Sequence, residues 1–367
     1  MKILFLTNLP SPYRVRFFNE LARYCDLTVI YEMTRSRERD EKWVEQARDS
    51  YRVLFLRGIV TGADSAFSPG ILRYLGKNRF DRIIICGVST PTQILAISWC
   101  RLLGIPYCLE GDGAFPGLGK GFREGVKTFL MENASLCFST CRMLDAYYRA
   151  YGVAPERIVR YPFTSVDESE VLPEPVSPAE KAALRRDLGM TETRIVLAVG
   201  QFIHRKGFDT LLEAARQLDD HTGIYLVGGE PTREYLQLRQ NWNLDRVHFV
   251  GFLTRQELAR YYRAADVFVL PTREDIWGLV VNEAMAYGLP VVTTTRCNAG
   301  LELIRSGENG FLVEPEDPAA LAQALEAVFA SEGEAMPRSA LETIRGYTIE
   351  EMAKRHAALF QLDPEDL

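Results

Sequence analysis

Short apolar runs alternate with longer amphipathic segments along the chain. The first half reads KILFLTNL, then the helix-period VRFFNELARY, then DLTVIYE, and further on RIIICGV, TQILAISWCRLLG, PYCLE, LCFST and IVRYPF. Near-continuous apolar runs of strand length mark strands buried on both faces. Strands that alternate with helices join by right-handed crossovers into a parallel sheet. The pattern lapses in VDESEVLPEPVSPAE (166–180), where three prolines and five acids carry no apolar period, the texture of a linker. It restarts with RIVLAVG (194–200), GIYLVGG (223–229), VHFVGF (247–252), DVFVLP (266–271) and PVVTTT (290–295). The prediction is therefore α/β, with two doubly wound, Rossmann-like domains at 1–165 and 191–346 and a linker with a first helix at 166–190. The last segment, 347–367, holds a helix at about 349–361 with no following strand to feed. It is expected to pack across the domain junction.

A chain of 367 residues, 47% hydrophobic and 25% charged, has room for two cores. No apolar run approaches the ~20 residues of a membrane span. The opening MKILFLTNLPSPYR meets a proline turn too early for a signal peptide and reads as a first core strand. Seven cysteines, at 25, 86, 100, 108, 137, 141 and 297, never form Cys-x-x-Cys and read as reduced core thiols of a cytoplasmic protein. The histidines at 204, 221, 248 and 356 show no metal-ligand spacing, so no metal or other cofactor is expected. Charge is divided unevenly: residues 1–165 hold 23 Lys and Arg against 16 Asp and Glu, and the remainder 20 against 33. In the basic half, Arg73, Lys77 and Arg79 of ILRYLGKNRF and Lys120, Arg123 and Lys127 of GKGFREGVKTFLM alternate with large apolar residues. That pattern suits peripheral contact with an anionic membrane leaflet, at its inner face, and equally two solvated amphipathic helices. Nucleic acid is not an expected partner.

Neither first turn, TNLPSPYR nor VGQFIHRKG, carries Gly-x-Gly-x-x-Gly, so a dehydrogenase loses its main support. Ligands of such sheets bind beyond the carboxyl ends of the strands. There, in REDIWGLVVNEAMAYGLP (273–290), a helix starts at Gly278 with too many apolar residues for a surface element. Its unpaired N–H groups and positive dipole end suit a phosphate or developing anion. Asp275 stands before that helix, as a cap or as a ligand group. Glu283 lies among Val281, Ala284 and Met285, where a carboxylate needs a partner or a ligand, unless it sits on the helix's one solvated stripe. In VGQFIHRKGFDTLLEAAR, Arg205 and Lys206 follow a strand end and form either a diphosphate clamp or a solvated pair.

The stretches VGQFIHRKGFDTLLEA, VHFVGFLTRQELARYYRAADVFVLPTREDIWGLVVNEAMAYGLPVVTT and GENGFLVEPEDPAALAQAL resemble the nucleotide-sugar half of the family 4 retaining glycosyltransferases, of the bacterial surface-polysaccharide type. The resemblance is strong over about 194–330. It implies the GT-B fold, with two domains facing a central cleft and the C-terminal helix crossing back to the first. It also implies transfer of a hexose from a nucleotide-diphosphate sugar to a hydroxyl of a glycan, lipid-linked or small-molecule acceptor, without a metal. The family pattern Pro-Ser-x-x-Glu-x-Phe-Gly-Leu-Val, followed by Glu-Ala-Met, places Asp275 at its first acid and Glu283 at its second, with Glu274 at a variable position. By that resemblance Glu283 holds the donor ribose and Asp275 lies at the donor sugar. The backbone amides of Trp277, Gly278 and Leu279 meet sugar and phosphates, and the base rests near Phe252 and Leu253. Lys206 matches the diphosphate lysine. The matching arginine is Gln201 here, so Arg205 supplies the charge or diphosphate binding is weaker.

Catalysis would then rest on preorganised charge, with Arg205, Lys206 and the helix N-terminus stabilising the departing diphosphate. The family often places a histidine beside the donor sugar in its first domain, but this chain has none before His204. YCLEGDGAFPG offers Glu110 and Asp112 instead, with Asp112 as a catalytic contact or simply part of an acidic turn. In NLPSPYR, Tyr13 and Arg14 are acceptor-side candidates. Arg14 either reaches an acceptor phosphate or is a helix-start cation. A nucleotide-sugar epimerase of the same fold and a non-catalytic partner subunit remain alternatives.

Overall fold

The computed structural model describes residues 1–34, 50–117, 121–331 and 333–362. The chain divides into two compact units, residues 1–164 with 348–367, and residues 165–347.

In the first unit, β1 (Lys2–Thr7) leads into α1 (Pro12–Leu21), followed by β2 (Asp26–Tyr31), β3 (Arg52–Phe55) and a hairpin of β4 (Ile59–Gly62) and β5 (Ser65–Phe67). Then come β6 (Arg82–Cys86), α2 (Pro91–Leu103), β7 (Cys108–Glu110), α3 (Phe122–Met131), β8 (Cys137–Ser139), α4 (Arg142–Ala150) and β9 (Ile158–Arg160). Seven of these strands form one parallel sheet in the order β3-β2-β1-β6-β7-β8-β9. The apolar runs explain it: Ile3 to Leu6 and Ile83 to Ile85 are at most 2% exposed, because helices cover both faces. Each buried Leu or Ile contributes roughly 1.5–3 kcal/mol. α2 shows the local logic well. Thr90 and Gln93 form a capping box, Pro91 occupies the first turn, and Gly104 ends the helix in the left-handed conformation.

In the second unit, α5 (Pro178–Leu188) precedes β10 (Arg194–Val199), α6 (Phe208–Ala215), β11 (Thr222–Val227), α7 (Arg233–Asn241), β12 (Val247–Val250), α8 (Arg255–Ala264) and β13 (Val267–Leu270). α9 (Leu279–Ala286), β14 (Val291–Thr294), α10 (Asn298–Leu303), β15 (Gly310–Val313), α11 (Pro318–Ala330) and α12 (Ala335–Ile344) complete it. The parallel sheet runs β12-β11-β10-β13-β14-β15. Its core gathers Val196, Ala198, Leu212, Ile224, Leu226, Val269, Val292 and Leu325. The strand order reverses between β10 and β13, and a crevice opens at such a switch point beyond the carboxyl ends of the strands.

The closing helix, α13 (Ile349–Leu359), belongs to the first unit, packed on α1. Phe17 and His356 meet there at 4.7 Å between ring centroids, and Arg355 Nε donates to the Arg160 carbonyl.

Several elements differ from the sequence expectation, β3 and the β4–β5 hairpin among them, since no run in 50–67 reads as a strand. ILRYLGKNRF is not an amphipathic helix: only a short 3-10 turn, Pro69–Arg73, forms, and Gly76 and left-handed Asn78 (φ 59°) follow it. GFLV (310–313), too short to stand out as a strand, forms β15 at the sheet edge. Among the described residues, no helix is long and apolar enough to cross a membrane.

Candidate functional site

The loops after β10 and β13 meet at the switch point of the second sheet. Gly207 permits the approach, since a Cβ there would stand 2.1 Å from the Pro271 carbonyl oxygen. The backbone N–H of Arg273 and the hydroxyl of Thr272 both donate to the Arg205 carbonyl, at 2.9 and 2.8 Å. Arg273 grips Asp209 with both terminal nitrogens, at 2.9 and 2.6 Å; Nη1 also donates to the His204 carbonyl, and Nε donates to Glu316. Two loops far apart in sequence are thereby held as one surface.

On that surface Lys206 Nζ donates to Asp275 Oδ2 at 2.6 Å, with only 14% and 11% of the two side chains exposed. Arg205 lies further out, about half exposed, 3.6 Å from Asp275 Oδ1 and donating to the Glu274 carbonyl at 2.8 Å. The adjacent acids point apart: Glu274 pairs with Arg296 on the surface. Asp275 is fixed on the other side by its backbone, whose N–H donates to the Arg296 carbonyl at 2.8 Å. Asp275 is not a helix cap. The cap position of α9 is Gly278 (φ 102°), where a Cβ would meet Cys297 Sγ at 2.7 Å.

Trp277 is 2% exposed, with its indole donating to Asn282 Oδ1 at 2.8 Å, so its ring is core and only its backbone faces the α9 N-terminus. Gly278 and Leu279 open α9, whose first N–H groups have no acceptor within the helix. Glu283, one turn on and half-buried, has protein partners. Ser165 Oγ donates to Oε1 at 2.9 Å and Tyr262 Oη to Oε2 at 3.3 Å. Gln201 is exposed just after β10, and Phe252 (54% exposed) and Leu253 follow β12 at the same edge of the sheet.

In the first unit the candidates form one cluster at the carboxyl end of β7. Arg14, 3% exposed in the first turn of α1, divides its guanidinium between Glu110 and Asp112. Of the two readings of Arg14, acceptor-phosphate contact or helix-start cation, the geometry adds this much: both terminal nitrogens are engaged by carboxylates that lie nearly a hundred residues away in sequence. Tyr13 donates to Asp112 Oδ2 at 2.8 Å. Asp112 keeps 30% of its side chain exposed, whereas Glu110 keeps none. Burial opposes the Glu110 charge, but Arg14 and His356 beside it hold its carboxyl down at about 2.

Two groups escaped the sequence reading. His356 faces Glu110 from α13, and only the fold brings them together. Glu32, 2% exposed at the end of β2, takes a hydrogen bond from Thr90 at 2.7 Å, and burial pushes its carboxyl up to about 7. An acid closing the apolar run DLTVIYE was the available signal. Of the basic candidates, Arg73, Lys77, Arg79 and Arg123 are exposed and Lys127 pairs with Glu124; Lys120 lies outside the described residues.

Residues 193–331 match the family model of the glycosyl transferases group 1. The chain is 36% identical over 196 residues to a D-inositol 3-phosphate glycosyltransferase of Geodermatophilus obscurus, covering 49% of this chain and 42% of that protein. It is 34% identical over 244 residues to one from Mycobacterium sp. (strain KMS), covering 64% and 52%. The chain thus spans about half the length of the curated relatives it matches. Among solved structures, the Anabaena protein HepE in complex with UDP superposes with a TM-score of 0.77 at 20% identity, over 98% of this chain and 99% of that one. Sucrose-phosphate synthase from Thermosynechococcus elongatus superposes with 0.75 at 23%, over 98% of each. The chain has the GT-B glycosyltransferase fold, and its residues 193–331 match the group 1 glycosyl transferases.

Proposed function

We propose that the protein is a retaining glycosyltransferase that moves a hexose from a nucleotide-diphosphate sugar to an acceptor hydroxyl. The observation that carries this reading is the Lys206–Asp275 pair, set at the switch point beside the N-terminus of α9. A mostly buried ammonium and a helix N-terminus are two sources of positive potential on one small surface. A diphosphate satisfies both. Lys206 and α9 then stabilise the charge that develops as the sugar–phosphate bond breaks, and Arg205 supplies the outer cation in place of Gln201. The diphosphate's charge is met in this scheme without a metal.

Glu283 is assigned to the ribose hydroxyls. Ser165 and Tyr262 hold its carboxylate in one orientation before the donor arrives. Asp275, fixed by Lys206, is assigned to the donor sugar, and the backbone near Phe252 and Leu253 to the base. In the first unit Asp112, presented by Tyr13 and Arg14, is the acidic group assigned to the transfer step, with Tyr13 on the acceptor side and Glu110 buried behind Arg14. HepE, of the same fold, has been solved with UDP and with UDP-glucose, which supports a nucleotide sugar as the donor class. Exposed Phe122 and Phe129 beside Arg123 on α3 support peripheral contact with an anionic leaflet, where a lipid-linked acceptor would reside.

A thermal-shift panel of nucleoside diphosphates and their sugars tests the reading, because only a binder of the folded state raises the melting point. A rise with at least one nucleotide sugar, followed by sugar transfer in product analysis, is expected. No rise with any of them would overturn it.

A further inference from the structure

Glu110 and His356 face each other in the first unit with both side chains fully buried, Oε2 to Nε2 at 3.7 Å. Neither of these atoms has a hydrogen-bond partner among the described residues. The other atoms of both groups are engaged. Glu110 Oε1 accepts from Arg14 and, at 3.2 Å, from the Tyr161 hydroxyl. His356 Nδ1 lies 2.8 Å from the Met352 carbonyl oxygen. A carbonyl only accepts, so Nδ1 carries a proton. In a neutral ring Nε2 would then be a bare lone pair aimed at a carboxylate lone pair, two buried acceptors with no donor between them, which is costly. One more proton turns that opposition into a charge-assisted contact.

The extra proton belongs on the ring. Arg14 and Tyr161 both donate to Glu110 and so favour its carboxylate form. The groups packed around the imidazole agree. Phe138 of β8 stacks on it at 5.4 Å with 9° between the planes, Phe17 of α1 and Phe360 just after α13 lie at its sides, and the Tyr161 ring is 4.3 Å away. A flat aromatic face favours a cation. Tyr13, Tyr161, Tyr148 and Cys86, further titratable groups around Glu110 and Arg14, are all pushed up by burial and stay neutral. With Arg14 and a protonated His356 as cations, and Glu110 and Asp112 as anions, the cluster is neutral. Without the ring proton one carboxylate is unbalanced, and Arg14 must serve both.

We propose that His356 is a resident imidazolium that balances Glu110, leaves one nitrogen of Arg14 for Asp112, and thereby positions the Asp112 carboxylate. The positioning half rests on the assignment of Asp112 to the transfer step; the ring proton does not. His356 is a positioning residue, separated from the substrate by Glu110, Arg14 and Asp112.

The test uses the full chain labelled with 15N-histidine. Proton–nitrogen correlation at pH 7.5 should show one of the four imidazoles with both nitrogens protonated, absent in His356→Gln. A His356 ring with a bare Nε2 at that pH overturns the proposal whatever the activity. In transfer assays His356→Leu should lower kcat at least tenfold with the donor KM within twofold, and His356→Gln, which restores an N–H toward Glu110, should recover part of that loss. Wild-type kcat in His356→Leu overturns the positioning half. Absence of transfer in the wild-type protein counts against the glycosyltransferase reading, and with it the positioning half, but leaves the ring result standing.

Discussion

Lys206 and Asp275, 69 positions apart in sequence, meet at 2.6 Å between Nζ and Oδ2, while the neighbouring Glu274 turns away to Arg296. The contact assigns different tasks to two adjacent acids. Asp275→Asn removes the charge that fixes Lys206 and should lower transfer by roughly 100-fold or more, the scale for losing one preorganised electrostatic group. Glu274→Ala breaks a surface pair that contributes less than about 1 kcal/mol, so its activity and melting temperature should stay near wild type. Steady-state rates of the two variants side by side check this. Full activity in Asp275→Asn would remove it from the site.

Glu283 joins a stability role to a binding role, and the two can be separated. Glu283→Ala leaves the buried Tyr262 hydroxyl without this acceptor and should cost about 1–3 kcal/mol in denaturant unfolding. Glu283→Gln keeps an acceptor and should cost less, yet still weaken nucleoside binding. Calorimetric titration of the glutamine variant decides the point: unchanged nucleoside affinity would leave Glu283 as a structural group alone.

Glu32 predicts a pH dependence of stability. Its carboxyl is raised from 4.5 to about 7 by burial, with Thr90 as a hydroxyl donor. A carboxyl raised in the fold stabilises it fully below its ordinary value, and that contribution is lost as pH climbs toward 7. Stability gained by Glu32→Gln relative to wild type should therefore grow between pH 4.5 and 7 by an amount on the order of 2 to 3 kcal/mol. Denaturant unfolding of both proteins at pH 4.5, 6 and 8 reads the difference; a flat difference contradicts it.

What the sequence disclosed and what it withheld divide along sequence distance. The strands were legible because parallel strands buried on both faces are written as local apolar runs, and α9 because Gly278 and Gly288 bracket one. Asp275 and Lys206 stood out as candidates by motif, but nothing local announced that one would hold the other. The same holds for Glu283, whose partners Ser165 and Tyr262 come from the segment before α5 and from α8. Arg14 read as an acceptor-phosphate contact or a helix-start cation because its two carboxylates lie beyond five intervening strands of the chain. ILRYLGKNRF misled for a different reason. Its apolar spacing imitates a helix, and Gly76 with left-handed Asn78 breaks the backbone that the spacing requires.

The central claim is that the second unit binds a nucleoside diphosphate through Lys206 and the N-terminus of α9. Titration calorimetry of wild type and Lys206→Ala tests it, using the nucleoside diphosphate that gives the largest thermal shift and the matching nucleoside. Loss of one hydrogen bond to a charged group costs about 1.5–3 kcal/mol, so diphosphate affinity should fall roughly 10- to 100-fold. Nucleoside affinity should change less than twofold. An equal loss for both ligands, or no loss for either, would contradict the assignment.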